Sequence, residues 1–162
     1  MKKIIILIAI ITLWSCSKSD DQTASDDQFN LYSAIEFSLY NANHEDLLDN
    51  TTTNHYKESE IKLFYVIDRQ TEEVYNTNST YPRGIMIYKH ENEYRIRIGL
   101  NHTETDDKPI TYVQWNKSDI DTIEVSYKRT QYSIIQNNIW LNGEHIWELG
   151  DNIIDPYFVL TK

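Results

Sequence analysis

The sequence is poor in cysteine, glycine, proline and positive charge, and each shortage excludes a class of protein. One cysteine, Cys16, among 162 residues leaves no partner for an intramolecular disulfide. Four glycines and three prolines are too few for a collagen-like or low-complexity chain. Fifteen basic residues against 25 acidic ones argue against nucleic-acid binding, because lysine and arginine supply most of that affinity by neutralising phosphates.

The long apolar run of the sequence lies close to its N-terminus. Met1, Lys2 and Lys3 form a short positive segment, and residues 4–14, IIILIAIITLW, are an apolar run of eleven. This run is too short to span a bilayer as a mature helix but has the length of a signal-peptide core. We therefore expect residues 1–15 to be an export signal.

The end of this run resembles the lipobox of bacterial lipoproteins. Leu13 lies three positions and Ser15 one position before Cys16, which is the spacing found where a cysteine is acylated. The resemblance implies that acylated Cys16 begins the mature protein and holds it on the lipid bilayer. An ordinary cleaved secretory leader with an incidental cysteine is the alternative.

A short acidic motif follows Cys16. It resembles the surface-export signal of Bacteroidetes lipoproteins and consists of Lys18, Ser19, Asp20 and Asp21. The resemblance implies a lipid-anchored protein of the outer membrane, displayed at the cell surface. The alternative is a plain acidic linker that leaves the protein on the periplasmic face.

The polar segment that contains this motif predicts a tether. Residues 17–28 contain no large apolar side chain, so burial cannot offset the entropy cost of ordering them. We expect residues 16–28 to be a flexible acidic tether and residues 29–162 to form a single β domain.

Within the predicted domain, apolar residues recur mostly with a period of two, which is typical of β-strands. The stretch 84–100 predicts a hairpin whose second strand buries Ile96 and Ile98 and exposes Arg95 and Arg97 to solvent. The predicted strand regions are residues 61–68, 84–100, 110–116, 121–129, 131–149 and 157–161.

These regions predict an all-β fold of seven to nine strands. We expect an antiparallel β-sandwich, immunoglobulin-like or related, with a small β-barrel as the alternative. Residues 31–49 fit either a strand from Leu31 to Tyr40 or a short helix that ends near Leu48.

Asn142 and Gly143 give the strongest turn signal, because a tight hairpin turn favours residues that accept positive φ. The resulting register places Leu141 opposite Glu144 and pairs Ile139 with Ile146. The aromatic residues on the other face are Trp140, His145 and Trp147. They either pack against the opposite sheet or form a flat platform that stacks on a glycan or a peptide.

Signals for chemistry are weak in this sequence. The five histidines are isolated and no nucleophile or nucleotide motif is present, so we expect no catalytic residue, no cofactor and no structural metal. Asp106 and Asp107, in the acidic loop 101–109, are weak calcium candidates, with a solvated loop as the alternative. Asp119 and Asp121, two positions apart, are weaker candidates of the same kind.

One short motif concerns modification rather than catalysis. Asp121, Thr122 and Ile123 are similar to the O-glycosylation sequon of exported proteins in the same bacterial group. The resemblance implies that Thr122 is the acceptor.

The order of these segments resembles that of small uncharacterised lipoproteins of Bacteroidetes, a resemblance that implies location and fold class but no activity. We expect a binding or accessory module for a glycan, a peptide or an outer-membrane protein partner. A structural or assembly protein of the envelope is the alternative, and a hydrolytic enzyme with dispersed carboxylates comes third.

Overall fold

The structure is a computed structural model that describes residues 29–104, 106–150 and 156–162. The predicted signal peptide, Cys16 and the motif at residues 18–21 lie outside the described residues. In the part of the chain that is described, no helix has the length and apolar character needed to cross a membrane.

The described residues form eleven β-strands and no helix, which confirms the predicted all-β class. The strands are β1 Asn30–Tyr32, β2 Ala34–Tyr40, β3 Lys62–Ile67, β4 Gln70–Glu73, β5 Ile85–His90, β6 Glu93–Gly99, β7 Ile110–Asn116, β8 Asp119–Thr130, β9 Ser133–Leu141, β10 Glu144–Glu148 and β11 Tyr157–Thr161. The sequence predicted fewer strands because β4 is short, exposed and without an apolar alternation, and because the segment predicted as one strand from Leu31 to Tyr40 is divided between β1 and β2.

The strands are arranged in two sheets. The larger has the order β1-β9-β8-β7-β3-β4, with β10 also paired to β9, and the smaller has the order β11-β2-β6-β5. Both sheets are mixed rather than purely antiparallel, because β1 pairs with β9 and β11 pairs with β2 in parallel. The partners in these two pairs are far apart in sequence, which leaves room for the long connection that a parallel pair requires.

One hydrophobic core contains side chains from both sheets. Trp115 on β7 is almost wholly buried, and its ring centroid lies 6.1 Å from that of Phe37 on β2 in an edge-to-face arrangement. Ile96 and Ile98 on β6 are fully buried, as the alternation predicted. Burial of a side chain of this size contributes about 1.5–3 kcal/mol relative to exposure, so the core residues dominate the stability of the domain.

Residues 31–49 contain strands rather than the alternative short helix. β1 and β2 cover most of Leu31 to Tyr40, and turns follow up to Asp49. An isolated bridge between Tyr40 and Asp46 brings this segment back beside β2.

The hairpin of β9 and β10 turns where the sequence predicted and then departs from the predicted register. Asn142 and Gly143 both have positive φ, and Leu141 lies opposite Glu144. A bulge between His145 and Trp147 then places Trp147, not Ile146, opposite Ile139. The extra residue of the bulge turns the Trp147 side chain toward the core, against which it packs.

Gly143 is expected to contribute through its conformation alone. Its φ is +84° and no atom lies within 4 Å of the place that a Cβ would occupy, so the Gly143→Ala variant meets no steric neighbour. The left-handed conformation costs an L-residue about 1–2 kcal/mol, and we expect that loss in urea unfolding. Gly150→Ala is the matched control, since that glycine also has open space but no positive φ. Equal losses in the two variants would contradict the prediction.

Candidate functional site

The predicted aromatic platform is only partly assembled. Trp140 and His145 lie opposite each other with ring centroids 5.3 Å apart, but the bulge turns Trp147 away from them to the core side. The Lys108 ammonium also sits 3.8 Å from the centroid of the Trp140 ring. The prediction of one shared face for the three side chains is therefore wrong for Trp147, and the Trp140 ring already has a cation and an imidazole beside it.

The calcium candidates Asp106 and Asp107 and the sequon threonine Thr122 are not part of the buried core. Asp106 and Asp107 are exposed and border a groove of about 700 Å³ together with Arg69 and Lys108, whose positive charges are unfavourable for a cation site. Within the described ranges no group of three or more histidine, cysteine, aspartate or glutamate side chains is arranged to hold a metal ion. Thr122 is half-buried on β8, between inward-facing neighbours, and its glycosylation stays a prediction.

The outer face of the smaller sheet carries a charged network instead of solvated arginines. Arg95 donates to Glu93 at 2.7 Å, and its guanidinium carbon lies 3.9 Å from the centroid of the Tyr157 ring. Arg97 donates to Glu36 at 3.0 Å. The arginines lie on the face opposite Ile96 and Ile98, as the alternation predicted, but they are 18% and 35% exposed and therefore only partly solvated.

Tyrosine hydroxyls complete this network. Tyr88 donates to Glu36, and Tyr40 and Tyr157 donate to Glu93. Burial, followed by the hydrogen bond to Glu93, raises the pKa of Tyr40 to about 12. The network thus occupies its own donors and acceptors, and we assign it a structural role.

A second polar cluster lies at the end of the core. The Lys162 ammonium is 2.6 Å from Asp121 Oδ2 and 2.9 Å from Asp119 Oδ1. Trp115 Nε1 donates to Asp121 Oδ2 at 2.6 Å, and Asn142 Nδ2 donates to Asp121 Oδ1 at 2.9 Å. The cluster therefore ties the residue after the last strand, the β9–β10 turn and the core tryptophan to one buried carboxylate.

The pKa of the Asp121 carboxyl reflects two opposing effects. Burial favours the neutral form, but hydrogen bonds from Asn142, Lys162 and Trp115, together with the charge of Lys162, favour the ionised form. The second group of effects prevails, so the pKa of Asp121 lies below its usual value of 3.8. At neutral pH the cluster is an ion pair with satisfied hydrogen bonds.

The described residues form an open groove of about 820 Å³, which we call the tyrosine groove. Leu48, Ile85 and Ile87 supply its apolar floor, and the segments that form its sides are 48–59 and 75–83. The aromatic side chains that line it are Tyr56, Tyr75, Tyr81 and Tyr94. Tyr75 and Tyr81 are 65% and 48% exposed, so two large rings face solvent at its rim.

Short-range contacts hold the two sides of the tyrosine groove. The backbone N–H of Asn76 donates to the Pro82 carbonyl at 2.7 Å and closes the loop that carries Tyr81. Arg83 Nη1 donates to the Ser59 carbonyl at 2.8 Å and so joins that loop to the opposite side. The exposed tyrosines therefore stand on loops whose bases are fixed.

Tyr56 connects the tyrosine groove to the buried cluster. Its hydroxyl donates to Asp119 Oδ2 at 2.9 Å, and its ring centroid is 6.1 Å from that of Trp115. Burial, followed by the hydrogen bond to Asp119, raises the pKa of Tyr56 well above its usual range. One wall of the groove is thus anchored in the core rather than in a surface loop alone.

Sequence reasoning missed the tyrosine groove. Its tyrosines come from separate segments, and no periodic pattern links Tyr56 to Tyr75 or Tyr94. One signal was available in the stretch 75–83, YNTNSTYPR, where two tyrosines stand among turn-forming residues that cannot cover them.

The fold and the groove together define an all-β domain with an open, tyrosine-lined cleft. No family model, curated protein or solved structure matches this chain. The functional inference therefore depends on the side chains themselves.

Proposed function

We propose that this domain is a binding module whose ligand lies in the tyrosine groove. The observation that carries the proposal is the combination of an apolar floor with two solvent-facing tyrosines at the rim. Sites for organic ligands are typically concave and largely apolar, with a few polar groups that fix orientation. Tyrosine rings supply a broad contact surface at a low cost in conformational entropy.

A binding role is better supported than a catalytic one by the state of the neighbouring carboxylates. Asp119 and Asp121 are connected to the groove through Tyr56, and Lys162 contacts both of them. Trp115, Asn142 and Tyr56 also donate to oxygens of this pair. A general acid or base needs a free position toward its substrate, which these two carboxylates do not offer.

We propose that this module works at the outer membrane, where acylated Cys16 attaches it to the bilayer and residues 17–28 hold it away from the surface. The support is the lipobox-like sequence and the acidic motif after it. Fully extended, these twelve residues reach about 40 Å, which is enough to present the groove beyond the lipid headgroups.

Alanine substitution of the rim tyrosines tests the binding site. The ligand is selected from glycan arrays and random peptide libraries. Tyr75→Ala and Tyr81→Ala are each expected to lower the affinity for it about tenfold or more, which corresponds to about 1.4 kcal/mol of binding free energy. Isothermal titration measures the affinity. Unfolding stability should stay within about 0.5 kcal/mol of wild type, because the two rings are largely exposed.

Tyr132→Ala provides the matched control for these substitutions. Tyr132 is an exposed tyrosine, 47% accessible, that does not line the groove. Loss of affinity in this variant equal to that of Tyr75→Ala would contradict the proposed site, as would the absence of any ligand in both screens.

A further inference from the structure

The tyrosine groove lies beside a free strand edge. β5 is the last strand of the smaller sheet, and no described strand pairs with its outer side. Ile85 and Ile87 belong to this strand and also to the floor of the groove. The backbone edge and the apolar floor are therefore parts of one continuous surface.

The hairpin register shows which backbone groups of β5 face outward. The Gly99 N–H donates to the Gly84 carbonyl at 2.8 Å, so these two residues form a hydrogen-bonded pair. Such pairs alternate along an antiparallel ladder. The main-chain N–H and C=O groups of Met86 and Tyr88 consequently form hydrogen bonds to β6. The N–H and C=O groups of the residues between them point away from β6. The outward-facing residues are Ile85, which is buried, and the more accessible Ile87 and Lys89.

These outward groups have no protein partner among the described residues. No hydrogen bond joins the main chain of Ile85, Ile87 or Lys89 to a neighbouring segment on the open side of β5. Natural proteins commonly cover or interrupt such an edge, because it is a template for another strand. Here the edge borders the cavity that also carries the exposed tyrosines.

The charges at this surface favour an acidic partner segment. Residues 29–162 carry 21 acidic and 12 basic side chains, yet the groove is lined by two cationic side chains, Lys57 and Arg83, and one carboxylate, Glu58. Lys57 is already paired with Glu60 at 3.1 Å, so the charge that matters to a ligand is that of Arg83. Arg83 donates to two carbonyls, and no described carboxylate forms an ion pair with it. Its charge is therefore available to a ligand anion.

We propose that the ligand of the tyrosine groove is an extended peptide segment that adds to β5 as a further strand. Its main chain pairs with Ile87 and Lys89, its apolar side chains rest on the groove floor, and an acidic side chain lies near Arg83. Strand addition of this kind gives affinity through main-chain hydrogen bonds and specificity through pockets for alternate side chains. The inference depends on the proposed function and names the chemical class of its ligand.

The experiment uses linear peptides selected from a random display library on the wild-type domain, with a glycan array screened in parallel. Ile87→Pro removes an outward N–H but no hydrogen bond to β6, so the sheet is retained. Ile87→Ala is the matched control, because it truncates the same side chain and keeps the N–H. We expect Ile87→Pro to lower the affinity for the selected peptides at least tenfold more than Ile87→Ala does.

A second experiment uses the wild-type protein with modified peptides, so its result does not depend on whether the Ile87→Pro variant folds. N-methylation of the selected peptide at every second residue should abolish binding in one alternating set and spare it in the other, because only one set of peptide N–H groups faces β5. Two sets of equal effect, or equal affinities of Ile87→Pro and Ile87→Ala, overturn the strand-addition proposal.

The remaining outcomes separate this inference from the proposed function. Glycans that bind in a Tyr75-dependent way, with no selected peptide, overturn the peptide proposal and leave the binding module intact. Concentration-dependent dimers that Ile87→Pro abolishes in sedimentation would show that a second copy occupies the edge, which also overturns it. If neither the peptide library nor the glycan array yields a ligand, both the strand-addition proposal and the proposed function are contradicted.

Discussion

Replacement of Asp121 by alanine is expected to lower the free energy of unfolding by about 3–5 kcal/mol, the cost of breaking a buried ion pair on one side. The substitution leaves the Trp115 indole N–H without its acceptor and leaves the Lys162 ammonium with Asp119 alone. Lys162 is only 13% exposed, so water cannot readily replace the lost carboxylate. Since small domains are stable by about 5–15 kcal/mol, urea unfolding should show a large shift of the midpoint.

A second substitution distinguishes the uncompensated charge from a simple loss of packing. In the double variant Asp121→Leu with Lys162→Met, the buried ion pair is replaced by apolar side chains, and we expect most of the lost stability to return. Asp106→Ala is the control, because Asp106 is exposed in a loop, and it should change stability by less than about 0.5 kcal/mol. A double variant as unstable as Asp121→Ala would contradict the ion-pair explanation.

The same carboxylate predicts a dependence of stability on acid. Folding lowers the pKa of Asp121, so the folded protein binds this proton less readily than the unfolded chain does. The stabilisation is therefore complete above the ordinary value of 3.8 and is lost as the pH falls through the lower value in the folded state. The difference in unfolding free energy between wild type and Asp121→Ala should shrink below about pH 4 in urea titrations.

The sequence predicted those parts of the fold in which local chemistry and burial agree. Asn142 and Gly143 set a turn because a tight hairpin needs positive φ at both positions, and both have it. Ile96 and Ile98 are buried because a period of two leaves one face of β6 inside the core. In these elements a few neighbouring residues are sufficient to predict the local structure.

Pairing direction and the bulge were beyond such local reasoning. Alternation in β11 shows that it is a strand but not that it runs parallel to β2. The bulge after His145 depends on the core accepting the Trp147 ring, which lies on a surface built by distant strands. A residue inserted into the ladder exchanges the faces of every later side chain, and for this reason Trp147 does not share the face of Trp140 and His145.

The tyrosine groove shows the same limit at the level of the site. Its floor uses Ile85 and Ile87, which the alternation identified only as strand residues, and its rim uses loop tyrosines. Tyr56 joins the groove to the Asp119 and Asp121 cluster, so a polar pair that the sequence suggested as a weak cation site instead supports one wall of the groove. Only the three-dimensional arrangement reveals that Lys162 lies between these two carboxylates.

Replacement of Cys16 by alanine is expected to release the protein completely from the membrane fraction. Transfer of each acyl methylene into the bilayer contributes about 0.8 kcal/mol, and a single myristoyl chain gives only marginal attachment, whereas two or more chains give a stable anchor. Radiolabelled palmitate should therefore appear on the wild type and be absent from Cys16→Ala, which should accumulate in the soluble fraction. Palmitate labelling that persists in Cys16→Ala would contradict the lipoprotein proposal.

The acidic motif after Cys16 provides a control that separates attachment from display. Asp20→Asn combined with Asp21→Asn removes the charges proposed as the export signal and leaves Leu13, Ser15 and Cys16 unchanged. This variant should incorporate palmitate as the wild type does but become resistant to protease added to intact cells, because it stays on the periplasmic face. If it is digested as rapidly as the wild type, the acidic residues are only part of the tether, and display of the tyrosine groove at the surface needs another signal.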